Sequence, residues 1–527
     1  MSTLWEFPYP SRRMPVMARN AVCTSQPLAA QAGLSMLQRG GNAVDAALAT
    51  AISLTVVEPT MNGIGSDAFC ILWDGEELHG LNASGRSPSA WTPEHFSGYT
   101  QMPEKGWDTV TVPGCVSAWV ALSKRFGKLP FAELFAPAVE YARSGWIVPP
   151  VVARSWSGAE NHYADMPTWC DAFLADGRAP RVGEVFRFEA QARTLEIIAD
   201  SEGEAFYRGE LAENIVAHAK ESGGLMSAQD LADHQPNWVE PMSADYRGRR
   251  LHEIPPNGQG IAALIALGIL SYLELSALEP DSANSLHLQI EAMKLAYADA
   301  QRYVCDPRTR DIKFEDLLDA DYLERRAEEI DTDQARAMEA GRPGPGETIY
   351  LTAADASGMM VSFIQSNFSG FGSGIVIPNT GISMQNRGSG FRLEPDHPNR
   401  VDGGKRPYHT IIPAFVTEDG EPLMSYGLMG GHMQPQGHVQ MMVQMFDYGR
   451  NAQSALDAPR WRWEQGLDLS LETGTDPEIR AELECRGHRI TDVVHPANFG
   501  GGQIILRLAD GYCAASEPRK DGAAVGY

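Results

Sequence analysis

Thr348 stands where two kinds of chain meet. Before it, EAGRPGPGE (339–347) carries three glycines and two prolines, a composition that excludes helix and central strand. After it, TIYLTAADASGMMVSFIQSN gives two β-rich runs around the turn Asp355-Ala-Ser-Gly358. A threonine hydroxyl is a poor nucleophile near neutral pH unless a base takes its proton, and the chain contains no GxSxG elbow of a Ser-His-Asp enzyme. If the Glu347–Thr348 bond is cut, the new α-amine has a pKa of about 7.7–8 and reaches the hydroxyl of its own residue. One residue then supplies nucleophile and base. A β-branched residue opening a strand is the plain alternative, so the surroundings of Thr348 have to decide.

Residues 26–57 read as two helices broken at Gly40-Gly41, because Ala, Leu and Met recur at helical spacing on both sides. Residues 58–82 alternate short apolar runs with Asp-Gly turns, the pattern of antiparallel hairpins. From about 114 to 330 the chain reads as mostly helical cladding, and the charged stretch 313–347 as a mobile segment ending at Thr348. Further strands are expected at GISMQN, HTIIPAFV, PLMSYGLM and GQIILRLADG, with a helix near VQMMVQMFDYG. Helices outside and antiparallel strands inside predict an α/β (α+β) fold of four layers, αββα, with two stacked antiparallel sheets between helical layers.

Composition narrows the function classes. The formal charge of -25 disfavours the nucleic-acid backbone and anionic membranes, which reward clustered Lys and Arg. The start, MSTLWEFPYPSRRMPVMARNAV, lacks the unbroken apolar run of a secretory signal, and no stretch of about eighteen apolar residues spans a membrane. Seven scattered cysteines without CxxC spacing fit reduced thiols. A cytoplasmic enzyme with no structural metal and no organic cofactor is the expectation. His432 and His438 in GGHMQPQGH raise a metal site, against which stand the missing HExxH spacing and Pro435, read as interrupting any helix. The NGIGSD stretch follows a helix, not the strand a dinucleotide loop needs.

The segments GETIYLTAADASGMMVS, GFGSGIV, GISMQN, KRPYHTIIPA, GLMGGH and ASEPRKDGAAVGY, with GGNAVDAA, EPTMNGIGSDAF, GRSP and TVPG earlier, together resemble the γ-glutamyltransferase family over essentially the whole chain. The resemblance implies an N-terminal nucleophile hydrolase, made as an inactive precursor and cut autocatalytically. Residues 1–347 form the large fragment and 348–527 the small one, intertwined as one domain. The fragments are expected to stay associated, with a dimer of such heterodimers as the further expectation. By the same resemblance, Gly430 and Gly431 offer backbone N–H groups to the oxyanion, Ser366 hydrogen-bonds the Thr348 nucleophile, and Arg86 grips a substrate carboxylate.

Two departures bear on substrate. Where the family carries an acid for the ammonium of a γ-glutamyl group, this chain reads Gln385-Asn386-Arg387-Gly388-Ser389-Gly390-Phe391, and the paired serines after KRP are replaced by His409 and Thr410. A γ-glutamyl ammonium beside Arg387 would face a like charge. The expected substrate is a small amide whose acyl part carries a carboxylate and no amine, such as oxamate. Glutaryl-type cephalosporin acylation, classical glutathione hydrolysis and a non-catalytic binding protein on the same fold are the rival readings.

Overall fold

The computed structural model describes residues 11–337, 347–492 and 496–527. Two seven-stranded sheets, antiparallel at every strand pair, lie at its centre. The first runs Ala523–Gly526, Ala21–Thr24, Glu347–Ala354, Met360–Phe368, Asp67–Trp73, Leu78–Asn82, Asn237–Val239. The second runs Val16–Ala18, Gly511–Ser516, Gly501–Leu508, Glu421–Met429, Ala414–Glu418, Arg249–Glu253, Met242–Tyr246. Each sheet interleaves strands from before and after the Glu347–Thr348 junction.

Three apolar layers separate four layers of structure. Phe69, Ile71, Tyr350 and Ile364 of the first sheet meet Phe415, Ile505 and Ala514 of the second. On its other face the first sheet packs against helices that include Pro27–Gln38 and Ala43–Val57. The second sheet is covered by Gly260–Leu270, Ala283–Tyr303 and Met433–Phe446. The αββα expectation therefore holds.

Period-two alternation along Glu347–Ala354 explains which way the junction faces. Ile349, Leu351 and Ala353 enter the helical layer, whereas Tyr350 and Ala354 enter the layer between sheets. Thr352 lies on that second face too, its hydroxyl 2.5 Å from Ser425 Oγ of the opposite sheet. Thr348 shares this parity and looks into the slot between the sheets.

The helical pair at 27–57 matches its prediction, with Asn42 and Asp45 forming a reciprocal capping box just after the Gly40-Gly41 break. Three expectations are corrected. The stretch 114–330 is not only cladding: Asn237–Val239, Met242–Tyr246 and Arg249–Glu253 complete both sheets. Asn237–Val239 and Met242–Tyr246 are the edge strands, and all three keep exposed polar residues, which hides the alternation. The segment 313–347 is ordered at its start, with a 3-10 turn at Phe314–Leu318 and a helix at Ala320–Glu328, capped by Asp319. Its charges hid an amphipathic face that buries Leu323 and Ala327; the Gly/Pro-rich residues 338–346 lie outside the described residues. Pro435 does not interrupt a helix either. It falls in the first turn of Met433–Phe446, where a missing N–H breaks no helical bond.

Because Phe415 is fully buried in the layer between the sheets, Phe415→Ala is expected to destabilise the protein by about 3–5 kcal/mol. Denaturant unfolding read by circular dichroism checks this.

Candidate active site

Thr348 is 1% exposed, and its Oγ1 donates to Ser366 Oγ at 3.2 Å. The pairing of its strand with Met360–Phe368 slips here: Glu347 faces Phe368, but Ile349 faces Gln365. Ser366 and Asn367 together oppose Thr348, a bulge of the kind that re-aims side chains beside functional sites. Ser366 Oγ in turn accepts the Phe368 N–H at 2.8 Å. From the first turn of the helix Met433–Phe446, Gln434 Nε2 reaches Thr348 Oγ1 at 3.4 Å while its Oε1 accepts the Ile412 N–H at 2.9 Å.

The strand Glu421–Met429 ends at Gly430 (φ 120°) and Gly431 (φ 60°), and the helix Met433–Phe446 follows. Both φ values belong to the region glycine enters without steric cost. A Cβ on Gly430 would also come within 3.0 Å of Gly500 Cα. Among the described residues neither glycine N–H donates to a backbone carbonyl. The helix behind them adds the positive end of its dipole, so this corner favours a developing negative charge. Gln259 fixes it from the large portion of the chain: its Nε2 donates to Gly431 O at 2.9 Å and to Thr410 O at 2.6 Å, and its Oε1 accepts from Tyr408 OH at 3.1 Å.

Arg387 is 1% exposed. Its Nη1 donates to Thr410 Oγ1 at 2.7 Å, and its guanidinium lies 4.9 Å from the centre of the Phe368 ring. Nε and Nη2 are buried without a hydrogen-bond partner among the described residues. Desolvation drives its pKa down to about 9, opposed by the charge of Asp67. Beside it opens a cavity of about 510 Å³ whose walls include Phe368, Thr410, His432, Tyr408, Glu104 and Glu394.

Two of the expected substrate contacts lie elsewhere. Arg86 pairs with Asp306 at 2.6 Å and reaches Gly404 O at 3.4 Å, on a separate depression shared with Arg308 and His234. Its Nη1 is thus engaged with Asp306 and Gly404, and its side chain lines that depression and not the cavity beside Thr410. His409 does not line that cavity; it is fully buried, with Nε2 3.0 Å from Asp67 Oδ2 and its ring edge-on to Phe69. Thr410 alone of that pair reaches the wall.

His432 and His438 share no cation cluster among the described residues. His438 Nδ1 sits 2.6 Å from Glu253, while the His432 ring stacks on Tyr408. The buried group His287, Glu291 and His488 does converge, but Lys294 Nζ stands 2.6 Å from Glu291 and already supplies the positive charge. The NGIGSD stretch is packed tightly: a Cβ on Gly65 would fall 2.3 Å from Ser383 O. Gln259, Gln434 and Asp67 escaped sequence reasoning, since an amide or carboxylate in an apolar stretch has no spacing that announces its partner.

A buried threonine hydroxyl facing the slot between two stacked sheets, beside a glycine corner that favours negative charge, defines a hydrolase of the N-terminal nucleophile fold. The comparisons agree. The signature described as Gamma-glutamyltranspeptidase matches residues 29–527. A cephalosporin acylase from Bacillus halodurans, known from its crystal structure, superposes with a TM-score of 0.96 at 49% identity, covering 100% of this chain and 99% of that one. The glutathione hydrolase-like YwrD proenzyme of Bacillus subtilis is 37% identical over 509 residues, 95% of this chain and 97% of that protein. The oxamate amidohydrolase proenzyme of Klebsiella pneumoniae is 35% identical over 519 residues, again 95% and 97%. The chain belongs to the gamma-glutamyltranspeptidase family and is an amide-bond hydrolase.

A buried guanidinium with two unused donors is a cost to folding. Arg387→Met, which keeps the volume and removes the charge, is therefore expected to leave stability unchanged or raise it by about 1–3 kcal/mol. Chemical denaturation of the two proteins side by side checks this.

Proposed function

We propose that the chain cuts itself before Thr348 and that the freed threonine hydrolyses amides whose acyl part carries a carboxylate and no ammonium. The relatives named as proenzymes support the processing step. The observation that carries the substrate reading is Arg387, whose Nε and Nη2 are buried without a partner among the described residues and which touches Phe368 and Thr410, two residues of the cavity wall. Two parallel N–H groups in a dry site match a carboxylate bidentately.

In this reading the α-amine of Thr348 takes the proton of its own Oγ1 as that oxygen attacks the amide carbonyl. The Gly430 and Gly431 N–H groups hold the oxyanion, and Ser366 orients the hydroxyl. The amine leaves with a proton, and an acyl-threonine ester remains. Water, activated by the same α-amine, releases the acid and restores Thr348; an amine in place of water would give acyl transfer.

Oxamate is the smallest amide of this class. A cavity of about 510 Å³ lies in the range of drug-sized ligands, so the amine side accommodates leaving groups far larger than ammonia, in keeping with the likeness to a cephalosporin acylase. One observation favours a second reading. Glu104 and Glu394 line the same cavity and offer an ammonium the partner that Arg387 denies it, which would suit a γ-glutamyl amide.

Cleavage before Thr348 divides the 57.5 kDa chain into fragments of about 38 and 20 kDa, provided the free N-terminal amine is the required base. Intact-mass spectrometry should find them in the parent and not in Thr348→Ala; a parent that stays whole ends the reading. With processed enzyme, glutaryl p-nitroanilide and oxamate should be hydrolysed at least tenfold faster, per kcat/KM, than γ-glutamyl p-nitroanilide. The reverse order selects the Glu104 and Glu394 reading. Gly430→Ala is expected to lower kcat by about 10²–10³, measured on enzyme whose cleavage has been verified.

A further inference from the structure

Gln259 belongs to the large portion of the chain and is fully buried where it meets the small one. It stands at the head of the helix Gly260–Leu270, every residue of which is buried. Its backbone N–H donates to His409 O at 2.9 Å, and the His409 N–H donates to Asn257 O at 2.9 Å, so the two segments run locked side by side. The partners of its carboxamide fix which way it is turned. Nε2 donates to Thr410 O at 2.6 Å and to Gly431 O at 2.9 Å, and Oε1 accepts from Tyr408 OH at 3.1 Å. Turned over, the amide would set its oxygen against two carbonyls.

These bonds join two places that one acyl group would touch at once. Thr410 Oγ1 accepts from Arg387 Nη1 at 2.7 Å, and Gly431 belongs to the corner assigned to the oxyanion. From guanidinium to glycine the path runs through Thr410 and Gln259, with a hydrogen bond of 2.9 Å or shorter at each step. Gly431 O has a second donor, the Gln434 N–H at 3.2 Å, whereas among the described residues Gln259 is the one donor to Thr410 O. On the reading that Arg387 takes the acyl carboxylate and the glycine corner the oxyanion, we propose that Gln259 is a positioning residue that fixes the separation of the two and thereby selects the length of the acyl chain between them. It acts from the large fragment, so acyl selectivity depends on both products of the cut.

A half-amide of a diacid reaches both places only if its carbon chain spans them. One methylene too few or too many misplaces either the carboxylate or the carbonyl, and a single methylene in a fitted pocket is worth about 10–200-fold in kcat/KM. Removing the tie removes neither contact: Arg387 keeps its two unmet donors, and Gly430 and Gly431 keep their N–H groups. It lets Thr410 and the corner shift against each other, so the best-fitting chain suffers most and its neighbours least.

The test uses processed enzyme and the mono-p-nitroanilides of malonic, succinic, glutaric and adipic acids. In the parent, kcat/KM is expected to peak at one chain length and to fall about tenfold or more one methylene away. Gln259→Met, which keeps the volume and removes both donors, should lose about tenfold on the best chain and less than about threefold on its neighbours, so that the peak flattens. Should this variant fail to fold or to cut itself, Gln259→Glu, which keeps an acceptor for Tyr408 OH and removes the Nε2 donors, is read in the same way. An equal loss at every length, which damage to the glycine corner alone would give, overturns the proposal, as does a parent without a peak. Butyryl p-nitroanilide has a chain and no carboxylate; its hydrolysis by the parent as fast as the best diacid instead overturns the Arg387 reading on which the proposal rests.

Discussion

The structure depends on keeping a hydroxyl in the slot between two sheets without filling that slot with hydrocarbon. The layer between the sheets is apolar along most of its length, from Phe69 and Tyr350 to Phe415 and Ile505. At the end where Thr348 enters, polar groups replace that packing: Ser366, Gln434 and the Gly430-Gly431 corner. The Ser366 and Gln434 side chains are tolerated there because each has a partner. The bulge opposite Thr348 gives Ser366 its position, and the helix that follows Glu421–Met429 of the second sheet gives Gln434 its own. Neither sheet alone would build the site.

Arg387 works against that economy. It is enclosed, stacked on Phe368, bonded once to Thr410, and left with two donors unmet. Arg460 and Arg519 around Glu517, by contrast, form a buried ion-pair group. The contrast separates a guanidinium that holds the fold from one that waits for a partner. Phe368 itself has φ 83°, an uncommon conformation for a bulky residue, and conformations of this kind gather at functional sites.

Several expectations failed for local reasons. The strands at 242–253, the sheet edge and its neighbour, were taken for helical cladding because polar residues that meet solvent break their alternation. The partner of Arg86 was illegible for a different reason: it pairs with Asp306, a residue 220 positions away that no spacing connects to it. His409 and Thr410 look equivalent in the chain, yet strand-like alternation sends one to Asp67 and the other to the cavity wall. Pro435 looked like a breaker and proved to be a first-turn residue.

The amino-acid sequence by itself determined the layered fold, the place of Thr348 at the head of a strand, and the glycine pair that ends another. Each of these follows from local rules: period-two alternation, the freedom of glycine, and the inability of a Gly/Pro-rich run to enter a sheet. Tertiary structure alone decided which polar side chains meet. Gln259, Gln434, Asp67 and Arg387 come from four distant segments, and their partnerships depend on sheet stacking and on which charges are desolvated together. Desolvation is a property of the assembled interior and not of any stretch of chain. That is why the place of Thr348 could be read in one dimension, and which charges are buried together near it could not.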